Sequence, residues 1–226
     1  MQATAAHLTV PRTARYYTLG EPTEQVREVW FVMHGYGQLA EYFVKYFEPI
    51  AGPTRLFIAP EGLSRFYLDG QYARVGASWM TREDRAHEIA DQHSYLNALY
   101  DLIMLELDPN VMVNVLGFSQ GTATAVRWVE AGYLRCDNLI LWGGSFPLDG
   151  KPATEHHRVL TRKEVIMAFG STDAITTPER IAAHRAELDA AGVLYEMFAY
   201  EGGHTIPEEA IVALAARLER EAVARG

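Results

Sequence analysis

The chain has 226 residues, 49% of them hydrophobic and 22% charged, with 29 acidic against 20 basic side chains. A net charge of −9 argues against binding to a nucleic-acid backbone, which requires a positive surface. A single cysteine, Cys136, rules out an internal disulfide framework and a cysteine-rich metal site, and its strand-edge setting suits a packed, inert thiol.

Residues 1–17 contain no basic segment followed by a long apolar run, and no stretch is long enough to span a bilayer. The expectation is a cytoplasmic protein forming a single domain over 1–226. Tyr16–Leu19 reads as a short edge strand and Val26–Met33, apolar throughout its second half, as a buried strand. That strand stops at His34-Gly35-Tyr36-Gly37-Gln38. Leu39–Phe47 has helical potential and ends near Pro49. Thr54–Ala59 is the next strand, closed by Pro60.

Glu61–Met80 shows no regular period. It holds Phe66, Tyr67, Tyr72 and Trp79, and Gly62, Gly70 and Gly76 interrupt any helix. Such a loop serves either as a binding wall or as a surface cover stapled by its aromatics. Thr81 is placed to cap a helix running to about Glu106, with Ile89, Leu96, Leu99 and Ile103 on its apolar stripe. Val111–Leu116 is a buried strand, followed by the turn Gly117-Phe118-Ser119-Gln120-Gly121 and a helix through Ala125–Ala131. Asn138–Trp142 and Glu164–Phe169 are strands. Pro178 opens a helix to about Ala191, Leu194–Ala199 is the last strand, and Pro207–Ala224 closes the chain as an amphipathic helix.

Strands alternating with helices predict an α/β fold: a doubly wound, mainly parallel sheet with helices on both faces and no large cap domain. Sheets of this kind carry their chemistry outside the carboxyl ends of the strands. Four conspicuous stretches fall there: His34–Gln38, Gly117–Gly121, Gly170–Asp173 and Gly202–His204.

A Gly-x-Ser-x-Gly turn between a buried strand and a helix pushes a serine hydroxyl out at its apex, which makes Ser119 a candidate nucleophile. A serine hydroxyl needs a base to become reactive. Of eight histidines, His34 and His204 follow strands. His7 lies in the N-terminal stretch, and His87, His93 and His184 lie on predicted helices. His156 and His157 invite a metal reading but lack an obvious third ligand. His204, late in the chain and in a glycine-rich loop, is the candidate base, with His34 shaping its own loop. Asp173 is the candidate acid that orients His204, and Asp149 is the alternative one strand earlier. The order Ser119, Asp173, His204 is that of the doubly wound hydrolases. The tetrahedral intermediate needs two donors, and the N–H groups of Tyr36 and Gln120 can supply them.

His34-Gly35-Tyr36-Gly37, Ala59-Pro60-Glu61-Gly62, Leu116 to Gly121, Gly170 to Asp173 and Gly203 to Pro207 together resemble the α/β-hydrolase superfamily. Within it, the chain is similar to the phospholipase/carboxylesterase family, which includes acyl-protein thioesterases and compact bacterial carboxylesterases. The resemblance covers about residues 28–220. It implies a serine hydrolase without cofactor or metal that acts on carboxylic or thio esters, in a family where homodimers are frequent. Thr122 stands where the family usually has glycine, Gln38 where an acidic residue is common, and Gly76–Met80 sits in a longer loop than many members have.

The reading at this level is a carboxylesterase for short to medium acyl esters, with no nucleic acid and no stable membrane insertion. Phe66, Tyr67, Trp79 and Phe146 are expected to line its pocket, beside Tyr36. Thioesterase or lysophospholipase activity, and a catalytically silent binding protein on the same fold, are the alternatives.

Overall fold

A computed structural model describes residues 3–147, 160, 164–190 and 192–225, with backbone alone for 222–225. Its main sheet has seven strands in the order β1 (Tyr16–Leu19), β3 (Arg55–Pro60), β2 (Glu28–Met33), β6 (Met112–Phe118), β7 (Asn138–Trp142), β8 (Glu164–Gly170) and β9 (Glu196–Tyr200). All pairs are parallel except β1 against β3. The α-helices whose bounds lie among the described residues are α1 (Ala40–Phe43), α2 (Arg85–Met104), α3 (Gln120–Glu130), α4 (Pro178–Ala190) and α5 (Glu208–Arg225).

The near-continuous apolar runs of β2 and β6 follow from burial on both faces. Side chains alternate across a strand, so Val29, Phe31 and Met33 enter one core with Leu96, Trp128 and Leu188 from α2, α3 and α4. Trp30 and Val32 enter the other, with Phe43, Phe47, Leu214 and Leu218 from the opposite layer. Helices therefore cover both faces, as the alternation of elements predicts.

Three local expectations are corrected. Residues 61–80 are not irregular: β4 (Ser64–Tyr67) and β5 (Val75–Ser78) form an antiparallel hairpin with its own two-stranded sheet. Leu39–Phe47 is not one helix, because α1 lasts four residues and a 3₁₀ turn, Val44–Ile50, carries the chain past Pro49. Thr81 does not cap α2. Its hydroxyl accepts the Glu83 N–H at 3.2 Å, and the helix begins after Asp84, which sits at φ 49°. An aspartate tolerates that left-handed conformation better than most residues.

Two buried imidazoles give the fold a pH signature. His34 is fully buried; its Nδ1–H donates to the Gly35 carbonyl at 2.7 Å and its Nε2 accepts the Gly62 N–H at 3.0 Å. His184 Nε2 accepts the Phe146 N–H, and its Nδ1–H points at Glu187. Burial holds both below the ordinary histidine range. The folded protein keeps them neutral where the unfolded chain takes up protons, so stability is full above about pH 6.5 and falls as acid is added. We expect calorimetric unfolding near pH 5.5 to take up protons, lowering stability by up to about 1.4 kcal/mol per pH unit for each histidine. Unfolding with no proton uptake in that window would refute it.

Candidate active site

The four stretches at the strand ends converge. Ser119 lies between β6 and α3 with φ 52° and ψ −114°, a sparsely populated conformation for a residue with a side chain. The two glycines of the turn are required by close approach. A Cβ on Gly117 would stand 2.4 Å from the Gly121 carbonyl oxygen, and one on Gly121 would stand 2.3 Å from that of Met33. The start of α3 is thereby pressed against the end of β2, and Ser119 comes beside the 34–38 loop. Thr122, at the position where a glycine is expected, ties the turn together: its hydroxyl donates to the carbonyls of Ser119 at 2.7 Å and Ser145 at 3.1 Å.

Asp173 and His204 come from the loops after β8 and β9. His204 Nδ1–H donates to Asp173 Oδ2 at 2.8 Å. The other carboxylate oxygen, Oδ1, accepts the N–H groups of Ile175 at 2.8 Å and Thr176 at 2.9 Å. Burial pushes the Asp173 carboxyl up, but hydrogen bonds from His204 and these two amides outweigh it and hold the group below the usual carboxylate range. Asp173 is therefore ionised at neutral pH. Gly143, at φ 59°, passes next to the pair; a Cβ there would lie 3.3 Å from the imidazole and 3.5 Å from Asp173 Oδ2. The Phe118 ring, one residue before the serine, is 4.9 Å from the His204 ring. Among the described residues the Ser119 hydroxyl makes no hydrogen bond. Contacts between nucleophile and base are commonly long before substrate binds.

Hydrogen bonds from β7 and β9 hold the His204 loop. Trp142 Nε1–H is shared between the Tyr200 hydroxyl and the Thr205 carbonyl, both at 2.9 Å. The Tyr200 hydroxyl donates to Thr205 O at 2.8 Å and lies 3.2 Å from Gly203 O. Burial pushes that phenol up to about 12, so it stays a donor.

The 34–38 loop is equally constrained. Gly35 N–H donates to Gln38 Oε1 at 2.7 Å, and Gly37 N–H donates to Ala77 O at 2.8 Å. The Tyr36 N–H between them has no partner among the described residues. The same holds for the Gln120 N–H, which opens α3, where a helix leaves its first amides unsatisfied. Below this loop, Glu61 is buried and paired with Arg15 at 2.7 Å, and also accepts the Ala40 N–H at 3.3 Å.

The expected pocket residues divide. Phe66 lies on the hairpin with its ring 5.1 Å from that of Tyr36, and Tyr67 is exposed against Tyr72. Trp79 and Phe146 are instead core residues, 0% and 3% exposed. Trp79 stacks on His34 and donates its indole N–H to the His34 carbonyl at 2.8 Å, which satisfies its one polar atom inside the core. Trp79→Ala should accordingly cost about 3–5 kcal/mol of stability, read from the midpoint of urea unfolding. A midpoint unchanged from wild type would contradict the core assignment. Asp149, His156 and His157 lie outside the described residues.

Sequence reading missed the side chain of Gln120. Its Oε1 accepts the Trp79 N–H at 3.1 Å and its Nε2 donates to Met80 O at 2.9 Å, so the residue after Ser119 also fixes the base of the hairpin. It missed Thr176 too, whose hydroxyl donates to Gly143 O at 3.2 Å. An aspartate three residues before a threonine and followed by a helix was the available signal. Among the described residues, two groups elsewhere bring three potential metal-ligand atoms within 4.8 Å of one another, His7 with Asp84 and His87, and Glu164 with Glu196 and Glu221; neither includes a residue of this site.

The sequence profile of the Phospholipase/Carboxylesterase family matches residues 15–220. The chain belongs to that family. Its members are hydrolases of the esterase or thioesterase type. The fold is shared with a carboxylesterase from Mesorhizobium loti (TM-score 0.70, 21% identity, covering 91% of this chain and 94% of that one). It is shared as well with acyl-protein thioesterase 2 from Zea mays (TM-score 0.68, 15% identity, 92% and 99%) and the Bacillus cereus carboxylesterase (0.63, 16%, 88% and 91%). No curated protein matches the chain in sequence. Among the described residues, no helix of this family member is long and apolar enough to cross a membrane.

Proposed function

We propose that this member of the phospholipase/carboxylesterase family is a serine carboxylesterase acting through an acyl-enzyme. The observation that carries the reading is the 2.8 Å bond between His204 Nδ1 and an ionised Asp173, built beside a strained serine. The bond fixes the imidazole with its proton on Nδ1, which leaves Nε2 as the base. The Ser119 oxygen attacks the acyl carbon as its proton passes to His204 Nε2. The oxyanion takes hydrogen bonds from the N–H groups of Tyr36 and Gln120, whose donors are otherwise unused. His204 returns the proton to the leaving oxygen, the alcohol departs, and a water deprotonated by the same imidazole releases the acid. The α3 N-terminus adds favourable potential where negative charge develops. A thioester would follow the same steps with sulfur leaving. Location in the cytoplasm and association as a homodimer belong to this reading as well.

Short to medium acyl groups are the proposed substrates. The support is Phe66 packed on Tyr36 at the edge of the oxyanion loop. Each methylene a pocket buries is worth about 0.8 kcal/mol, so kcat/KM for p-nitrophenyl esters should climb by about one to two decades over the first two to four added methylenes and then stop. An optimum at palmitate would overturn this and favour a lysophospholipase or thioesterase. A fluorophosphonate probe should label Ser119, as located by peptide mass. A folded protein that resists the probe would be a silent binding protein.

A further inference from the structure

Lys45 and Arg74 take no part in this chemistry, yet both enter one cavity of about 690 Å³. Lys45 comes from the 3₁₀ turn and Arg74 from the hairpin, just before β5. Gly37 and Gln38 of the oxyanion loop line the same space. Lys45 Nζ lies 5.5 Å over the Tyr42 ring, and among the described residues neither cation forms an ion pair with a carboxylate. This holds in a chain of net charge −9, where acidic partners are plentiful. Of the acids close to Lys45 and Arg74 in sequence, Asp69 turns Oδ1 to the N–H groups of Gln71 and Ala73, and Glu41 accepts the Tyr17 hydroxyl. The remaining walls are apolar. Leu68 and Val75, 39% and 40% exposed, line the cavity together with the exposed rings of Tyr42 and Tyr46.

Apolar walls with two cations outside any ion pair match one kind of ligand. A neutral lipid would leave the cations facing hydrocarbon, and a bare polyanion would leave the aromatic walls unused. We propose that this cavity binds a carboxylate carried on an aliphatic or aromatic stem, held by Lys45 and Arg74 against the outer side of the oxyanion loop. Such a carboxylate has two sources: the far end of a substrate reacting at Ser119, or a free acid such as the product of ester hydrolysis.

Binding is read first, by titration calorimetry of octanoate against its neutral counterpart octan-1-ol. Octanoate should bind about tenfold or more tightly, and the Lys45→Gln/Arg74→Gln double variant should lose that margin. The charge-conserving Lys45→Arg/Arg74→Lys variant should keep it. Octanoate binding no tighter than octanol, or equally tight to a folded glutamine double variant, would overturn the proposal. This arm needs no turnover, so it stands or falls apart from the hydrolase reading. The source is read by kinetics. A preference for mono-p-nitrophenyl suberate over p-nitrophenyl octanoate that vanishes in the glutamine variant assigns the cavity to the substrate's far end. Added octanoate altering p-nitrophenyl acetate hydrolysis in wild type alone assigns it to a free acid.

Discussion

Ser119→Ala protein should fold as wild type does and fail to turn over ester. The hydroxyl has no hydrogen-bond partner among the described residues, so its loss breaks nothing that holds the turn. The bonds that do hold it run through the backbone: Ser119 N–H to Trp142 O at 2.9 Å, and Thr122 Oγ1 to Ser119 O at 2.7 Å. Alanine keeps both. Melting temperature and far-UV circular dichroism should therefore match wild type, while kcat on a short activated ester falls by several orders of magnitude. A folded variant retaining more than about a tenth of the wild-type rate would remove Ser119 from the role of nucleophile.

Asp173→Asn tests the orientation of the base. The side-chain amide that replaces the carboxylate can keep its carbonyl oxygen on the Ile175 and Thr176 N–H groups, where Asp173 Oδ1 now sits. Its NH₂ group then faces His204 Nδ1, in the place of Asp173 Oδ2. Nδ1 must become an acceptor, the imidazole proton moves to Nε2, and the base can no longer take a proton from Ser119. Geometry survives and chemistry does not, so kcat should fall by about 10⁴-fold with a small change in stability. Asp149→Asn should leave kcat within a few-fold of wild type. If Asp149→Asn is the crippled variant instead, the acid has been misplaced.

The parts of this site that are legible in the sequence are those with strong local constraints. The GFSQG turn can be read because the closeness of β6, α3 and β2 admits only glycine at 117 and 121. The Asp173 and His204 loops can be read because a parallel sheet fixes where strand ends point. The hairpin at 64–78 is hidden: its strands are four residues long, and glycines at 70 and 76 read equally well as loop breakers. Trp79 reads as a pocket residue because an aromatic in a glycine-rich stretch has no period to reveal its direction. Its burial depends on the His34 carbonyl, 45 residues away, and no local pattern reports that partner. Gln120 offers the sequence reader its backbone alone, since the contact of its side chain with residues 78–80 exists only once the sheet has assembled.

The anchoring of the β4–β5 hairpin separates two jobs along the chain. Its base is fixed by Gln120 and by the Gly37–Ala77 hydrogen bond, whereas the outer residues 66–75 contribute rings and one cation, Arg74, to the surface. Replacing that outer stretch with one of different length or charge, while leaving 76–80 and Gln120 untouched, would change what meets the mouth of the site without moving Ser119. The hairpin is in that sense an exchangeable head on a fixed mount.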